Sequence, residues 1–144
     1  MKVQIVNKSS NDIPRYATPG SSGLDLRANI PEDVVLAPLD RALVPTGLFL
    51  SIPSGMEGQI RPKSGVAYNR GLTVLNSPGT VDSDYRGEIC VLIVNLSNES
   101  ANIAKGERIA QLVFSKVARA KWEEVSELSE TTRGKGGFGS TGTQ

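Results

Sequence analysis

The stretch Gly71–Glu88, GLTVLNSPGTVDSDYRGE, organises the reading of this chain. Leu72–Asn76 is a short apolar run, and Ser77-Pro78-Gly79 follows as turn chemistry. Pro presets φ at the second position of a turn and Gly permits φ > 0 at the third, so the triplet predicts a type II turn. Thr80 and Val81 then begin a returning strand, and the whole predicts a β-hairpin. Directly after it stand the carboxylates Asp82 and Asp84, the ring of Tyr85 and the cation of Arg86. A carboxylate and an aromatic ring at the mouth of a hairpin furnish the floor of a small-molecule pocket. Asp, Ser and Gly between strands also make ordinary solvated loops, and this stretch alone leaves both readings open.

Outward from it, period-two and short apolar runs recur with Pro and Gly between them. Strands are expected at Val3–Val6, Leu24–Ala28, Asp33–Leu36, Ala42–Val44, Leu48–Ile52, Gln59–Arg61, Leu72–Leu75, Thr80–Val81, Ile89–Leu96, Ala101–Ala104, Ile109–Phe114 and Lys121–Val125. Pro19-Gly20, Pro53-Ser54-Gly55 and Lys105-Gly106 punctuate them. Many short strands at this spacing predict an all-β sandwich or barrel. Lys63–Asn69 is the one plausible helical turn. A length of 144 residues fits a single domain.

Composition removes several classes of chemistry. No histidine occurs, which excludes Ser-His catalysis, His bases and the usual zinc sites. A hydrolase working near neutral pH would then use a carboxylate or Lys as base, which directs attention to Asp25, Asp82 and Asp84. Lys and Arg number 16 against 15 acids, so no global field draws the chain to nucleic acid or membrane. Any anionic ligand must be held by local groups. The single cysteine, Cys90, lies in the apolar run Ile89–Val94 and reads as a core residue. With no disulfide possible within the chain, no apolar signal core in MKVQIVNKSS and no membrane-length run, a cytoplasmic location is expected.

The end of the chain differs. Arg133–Gln144, RGKGGFGSTGTQ, is rich in glycine and reads by composition as a flexible tail. Gly134, Gly136 and Gly139 fit the spacing of the dinucleotide fingerprint, but no βαβ unit surrounds them. A Walker A order is absent. Arg133, Ser140, Thr141 and unhindered backbone N–H groups could instead wrap an anion, with Phe138 free to stack on a base.

NSPGTVDSDYRGEI resembles the third motif of the trimeric deoxyuridine triphosphate nucleotidohydrolases, the dUTPases. Pro19–Ala28 (PGSSGLDLRA), Gly58–Ala67 (GQIRPKSGVA), Gly106–Phe114 (GERIAQLVF) and the glycine-rich tail are similar to the first, second, fourth and fifth. The resemblance runs from Pro19 to Thr141. It implies a jelly-roll-like β-barrel over residues 1–126, with residues 127–144 as a mobile arm that closes over the site. It also implies a homotrimer whose active sites are shared between subunits.

The implied activity is Mg²⁺-dependent hydrolysis of dUTP to dUMP and diphosphate, which keeps uracil out of DNA and supplies dUMP for dTTP synthesis. Asp82 would be the catalytic base. Asn76, Gly79, Val81 and Tyr85 would hold the nucleoside, and Lys63, Ser64, Gly65, Gln111 and the arm's Arg133, Gly139, Ser140 and Thr141 the phosphates. Phe138 would lie on the uracil. Asp25 would reach, through water, a Mg²⁺ carried mainly by the phosphates.

One position departs from the pattern. Lys63 stands where the family usually has Arg, and a Lys lacks the planar fork that grips phosphate twice, although Arg61, Arg70 and Arg133 remain as alternatives. Two neighbouring readings follow from the same motifs. A dCTP deaminase would need a Glu base in the pocket and would lack the complete arm. A nucleotide sensor that binds without hydrolysis would lack the Asp82 carboxylate.

Overall fold

The computed structural model describes residues 1–137. Eleven elements follow one another, and all but one are strands: β1 (Gln4–Asn7), β2 (Leu24–Arg27), β3 (Val34–Leu36), β4 (Arg41–Ser51), β5 (Met56–Pro62), α1 (Ser64–Arg70), β6 (Leu72–Val74), β7 (Gly79–Val81), β8 (Glu88–Asn95), β9 (Ala101–Ile103) and β10 (Arg108–Lys116). The strands form two four-stranded sheets, ordered β1-β4-β8-β6 and β2-β10-β5-β7, and the ribbon β3-β9. Every pairing is antiparallel. The all-β expectation holds, and the ladders stay as separate sheets without closing into one ring.

Alternation explains the layering. β8 buries Ile89, Val91 and Ile93 and turns Glu88, Cys90 and Leu92 the other way. Those buried residues join Leu50 and Val74 of the first sheet and Leu26, Ile60, Val81 and Leu112 of the second in one apolar cluster. Each such side chain contributes about 1.5–3 kcal/mol by leaving water. The two faces interdigitate as in any sandwich, and the strand ends project the loops that carry the polar residues.

Three local expectations change. Leu72–Val74 and Gly79–Val81 do not pair with each other. β6 pairs with β8 (Leu72↔Asn95) and β7 with β5 (Val81↔Gly58), so the segment between them crosses from one sheet to the other. The turn is not type II either, because the Ser77–Pro78 peptide is cis and Gly79 keeps φ outside the left-handed region. The expected strands Ala42–Val44 and Leu48–Ile52 are one strand, β4, whose ladder with β8 shifts between Pro45 and Phe49. Gly47 takes φ 72° there. The Thr46 hydroxyl donates to the Ile89 carbonyl at 2.5 Å, and the Gly47 N–H donates to Glu88 Oε1 at 2.7 Å, so side chains meet the groups the ladder drops. Lys121–Val125 forms no strand. It pairs with no strand among the described residues, and Trp122 is 97% exposed.

α1 runs Ser64–Arg70 and stops at Gly71, whose φ of 64° suits a left-handed cap. No side chain caps its start, where the flanking residue is Lys63.

Candidate active site

Two clefts gather most of the expected residues. The first, about 290 Å³, is lined by Asn76, Gly79, Thr80, Val81, Asp82 and Tyr85, together with Ile60, Glu88, Ile89 and Cys90 and the exposed Leu43. The crossing from β6 to β7 brings Asn76 over Gly79, and the turn after β7 carries Asp82 and Tyr85. That turn is knit tightly. The Tyr85 N–H donates to the Asp82 carbonyl at 3.2 Å, and Arg86 donates to the carbonyls of Ser83 and Tyr85, both at 2.8 Å. The Tyr85 hydroxyl donates to the Glu88 carbonyl at 3.0 Å, which lays the ring back along its own loop. Arg86 is thereby spent on the loop.

The Asp82 carboxylate accepts no hydrogen bond from any described residue and is exposed at the rim. It also borders a neighbouring hollow with Glu57, Asp84 and Arg119. Glu88, by contrast, is already engaged at the Gly47 N–H. Cys90 faces the cleft as well, and burial, then the nearby Glu88 charge, push its thiol above the usual range.

The second cleft, about 240 Å³, is lined by Asp25, Lys63 and Gln111 with Arg15, Ser21, Ser22 and Gly23. Register creates it: Gln111 on β10 lies directly opposite Asp25 on β2. Asp25 Oδ1 accepts from Lys63 Nζ at 2.8 Å and Oδ2 from Arg108 at 3.3 Å, so one half-buried carboxylate ties two cations together. Gln111 Nε2 donates to the Pro62 carbonyl at 2.9 Å. A Cβ on Gly23 would come within 2.2 Å of Gln111 Oε1, so glycine leaves the room in which that amide lies.

Other expected residues stand apart from both clefts. Ser64 and Gly65 are exposed at the start of α1, one step beyond Lys63. Arg133 lies on an exposed segment and donates to the Gly136 carbonyl at 2.9 Å. Phe138, Gly139, Ser140 and Thr141 lie outside the described residues. Arg70 is not a spare phosphate ligand, because its guanidinium is held by Glu107 and the Asn102 carbonyl. Arg61 leans on Gln59 at 3.0 Å. Sequence reasoning passed over Arg15, Gly23, Gly87 and Glu88. Gly23, Gly87 and Glu88 sit inside the quoted motifs, where a glycine facing a neighbour's side chain carries no visible mark.

The two clusters lie at opposite edges of one sheet. Asp25, on the edge strand β2, is level with Arg61 of β5, and Asp82, after the edge strand β7, is level with Glu57, so three strand spacings across and four residues along separate them, on the order of 20 Å. One offers an aromatic ring, an amide and an unengaged carboxylate; the other offers cations fixed on a carboxylate. Together they offer an all-β protein the groups that suit a small, anionic, ring-bearing ligand.

Comparison with known proteins agrees. The dUTPase family model matches residues 9–142. A deoxyuridine 5'-triphosphate nucleotidohydrolase of Cytophaga hutchinsonii is 60% identical over 140 residues, covering 97% of this chain and 91% of that one. One from Finegoldia magna is 54% identical over 142 residues, covering 99% of both. Among solved structures, the Staphylococcus bacteriophage 80alpha dUTPase with dUpNHpp matches with a TM-score of 0.89 at 28% identity, covering 99% of both chains. The chain belongs to the dUTPase family, a family of hydrolases.

Proposed function

We propose that this chain hydrolyses dUTP to dUMP and diphosphate, with water activated by Asp82 attacking the α-phosphorus. The observation that carries the reading is the first cleft: an unengaged carboxylate at the rim of a pocket that also holds Asn76 and Tyr85. In a chain without histidine, such a carboxylate is the natural general base. Asn76 and the backbone of Gly79–Val81 would meet the edge of uracil. Cytosine exchanges an acceptor for a donor there and would leave buried partners unpaired, a mismatch worth about 10⁴–10⁵ in discrimination. Thymine's methyl would be refused by contact. Tyr85 would lie under the sugar and leave no room for a 2′-OH.

Lys63, Ser64, Gly65 and Gln111 would face the phosphates. Residues 1–126 would act as the catalytic body and 127–144 as an arm bringing Arg133, Phe138, Gly139, Ser140 and Thr141 over the nucleotide. Closure of that kind excludes water and strengthens every charged contact inside. Among the described residues, Asp82 stands apart from Asp25, Lys63 and Gln111 on the same sheet, which supports a site assembled from more than one subunit, as in the homotrimer that the family resemblance implies. Val35, Leu43 and Leu96, each at least 60% exposed, are apolar surface available for that contact.

The donor set suits Mg²⁺ brought by the substrate. No cluster of three acidic, His or Cys ligands exists among the described residues, and Asp25 is a single carboxylate already tied to two cations. Such a group fits waters on a phosphate-bound Mg²⁺ better than a cage around a bare ion. When bound, the ion would neutralise charge on the departing diphosphate. The cellular reading follows from the reaction: removal of dUTP keeps uracil out of DNA and yields dUMP for dTTP synthesis, in the cytoplasm. No helix among the described residues is long and apolar enough to cross a membrane.

The deciding experiment offers dUTP, dCTP, dTTP and UTP separately with Mg²⁺ and measures diphosphate release and the base of the product. Rapid release from dUTP alone is the expected result. Uracil appearing from dCTP would identify a deaminase, and tight binding without turnover a sensor.

A further inference from the structure

We propose that Gly87 is a specificity-determining residue: its missing side chain is the seat in which the Tyr85 ring lies, and so it sets how the sugar is read. The inference rests on the reading of Tyr85 as the sugar-facing ring. A Cβ built on Gly87 would stand 2.2 Å from the Tyr85 hydroxyl oxygen, 2.4 Å from Cζ and 2.8 Å from Cε2. No such contact survives, so the ring would retreat by about 1 Å or more to reach ordinary contact distance.

Its direction of escape is clear. Tyr85 is 47% exposed, and among the described residues one side-chain hydrogen bond, from its hydroxyl to the Glu88 carbonyl at 3.0 Å, holds it. Moving the hydroxyl breaks that bond and lets the ring swing from the cleft. The backbone of Glu88 is held opposite Phe49 in the ladder between β4 and β8, so the carbonyl acceptor is not free to follow. The backbone of Gly87 does not itself demand glycine, because its φ lies outside the left-handed region. The demand comes from the ring. Gly87 therefore acts through Tyr85, as a positioning residue for discrimination between deoxyribose and ribose.

The test compares Gly87→Ala, Tyr85→Ala and the double variant with wild type, in the full chain with Mg²⁺. The readouts are Tm and the ratio of kcat/KM for dUTP to that for UTP. Misplacing a contact group by about 1 Å can cost up to about a hundredfold, so Gly87→Ala is expected to lower the ratio at least about tenfold at nearly unchanged Tm. Tyr85→Ala should lower it at least as much. Adding Gly87→Ala to Tyr85→Ala should then change neither ratio nor Tm, because the overlapping ring is gone.

If Tyr85→Ala leaves the ratio unchanged, the sugar is read elsewhere and both readings fall. If Tyr85→Ala lowers it and Gly87→Ala does not, the sugar reading stands and the role of Gly87 is overturned. Should Gly87→Ala not fold, the double variant decides: folding and matching Tyr85→Ala supports the seat, and failing to fold shows that the backbone needs glycine and overturns it.

Discussion

Asp82→Asn should separate activity from stability more cleanly than any other single change. The carboxylate accepts no hydrogen bond within the described chain and stands exposed at the cleft rim, while the backbone carbonyl of Asp82, which receives the Tyr85 N–H, is untouched by the substitution. Exposed changes of this kind stay within about 0.5 kcal/mol, or about 2 °C in Tm for a domain of this size. The amide is nearly isosteric but cannot take a proton from water. Loss of a general base costs about 10²–10⁴ in rate, which corresponds to about 3–5.5 kcal/mol of barrier. Binding of the analogue dUpNHpp should change only a few-fold, since the lost function belongs to the transition state. The assay combines thermal unfolding, analogue titration and steady-state diphosphate release, with Asp84→Asn as a control expected to keep turnover. Turnover of Asp82→Asn within about threefold of wild type would sink the assignment and make Asp84 the next candidate. A fall in Tm above about 5 °C would mean the carboxylate is structural.

Four further outcomes are expected. Asp25→Asn removes the anion shared by Lys63 and Arg108, and should raise the Mg²⁺ concentration for half-maximal turnover by about 10–100-fold. An unchanged Mg²⁺ titration would show that Asp25 serves only the ion pairs. Deleting residues 133–144 should leave Tm nearly constant and remove most turnover. Mixing that truncation with Asp82→Asn chains should restore activity once subunits exchange, and exchange verified by mass without recovery would refute an arm acting across subunits. Asn95→Leu should lower Tm by several degrees, at about 2–4 °C per kcal/mol, because the buried Leu36 carbonyl loses a 2.9 Å donor and the Ser97–Glu99 turn loses its anchors. A Tm within about 1 °C of wild type would contradict it.

The stretch Gly71–Glu88 shows what was legible and what was not. Leu72–Val74 and Thr80–Val81 were readable as strands because alternation is local. Their partners were not, because pairing is decided by distant residues such as Asn95 and Gly58, and nearness in sequence suggested a hairpin instead. Ala42–Val44 and Leu48–Ile52 read as two strands, with Pro45 and Gly47 between them. The chain keeps β4 continuous there only because Thr46 and Glu88 supply hydrogen bonds that no composition rule foresees. At the site, residue type and motif sufficed to nominate Asp25, Gln111, Asp82 and Tyr85. That Asp25 and Gln111 stand on β2 and its neighbour β10, while Asp82 and Tyr85 follow β7 at the other edge of the same sheet, follows from strand order alone, and the engagement of Arg70 by Glu107 follows from tertiary packing.

The exposed Trp122 has a practical consequence. It is the only tryptophan in the chain and sits outside every sheet. Intrinsic fluorescence excited at its band will therefore say little about melting of the apolar interior and much about whatever comes to lie over residue 122. In a lone chain the emission should be that of an indole in water; any shift to shorter wavelength on concentration would be an optical record of that segment finding a cover, obtained without a label.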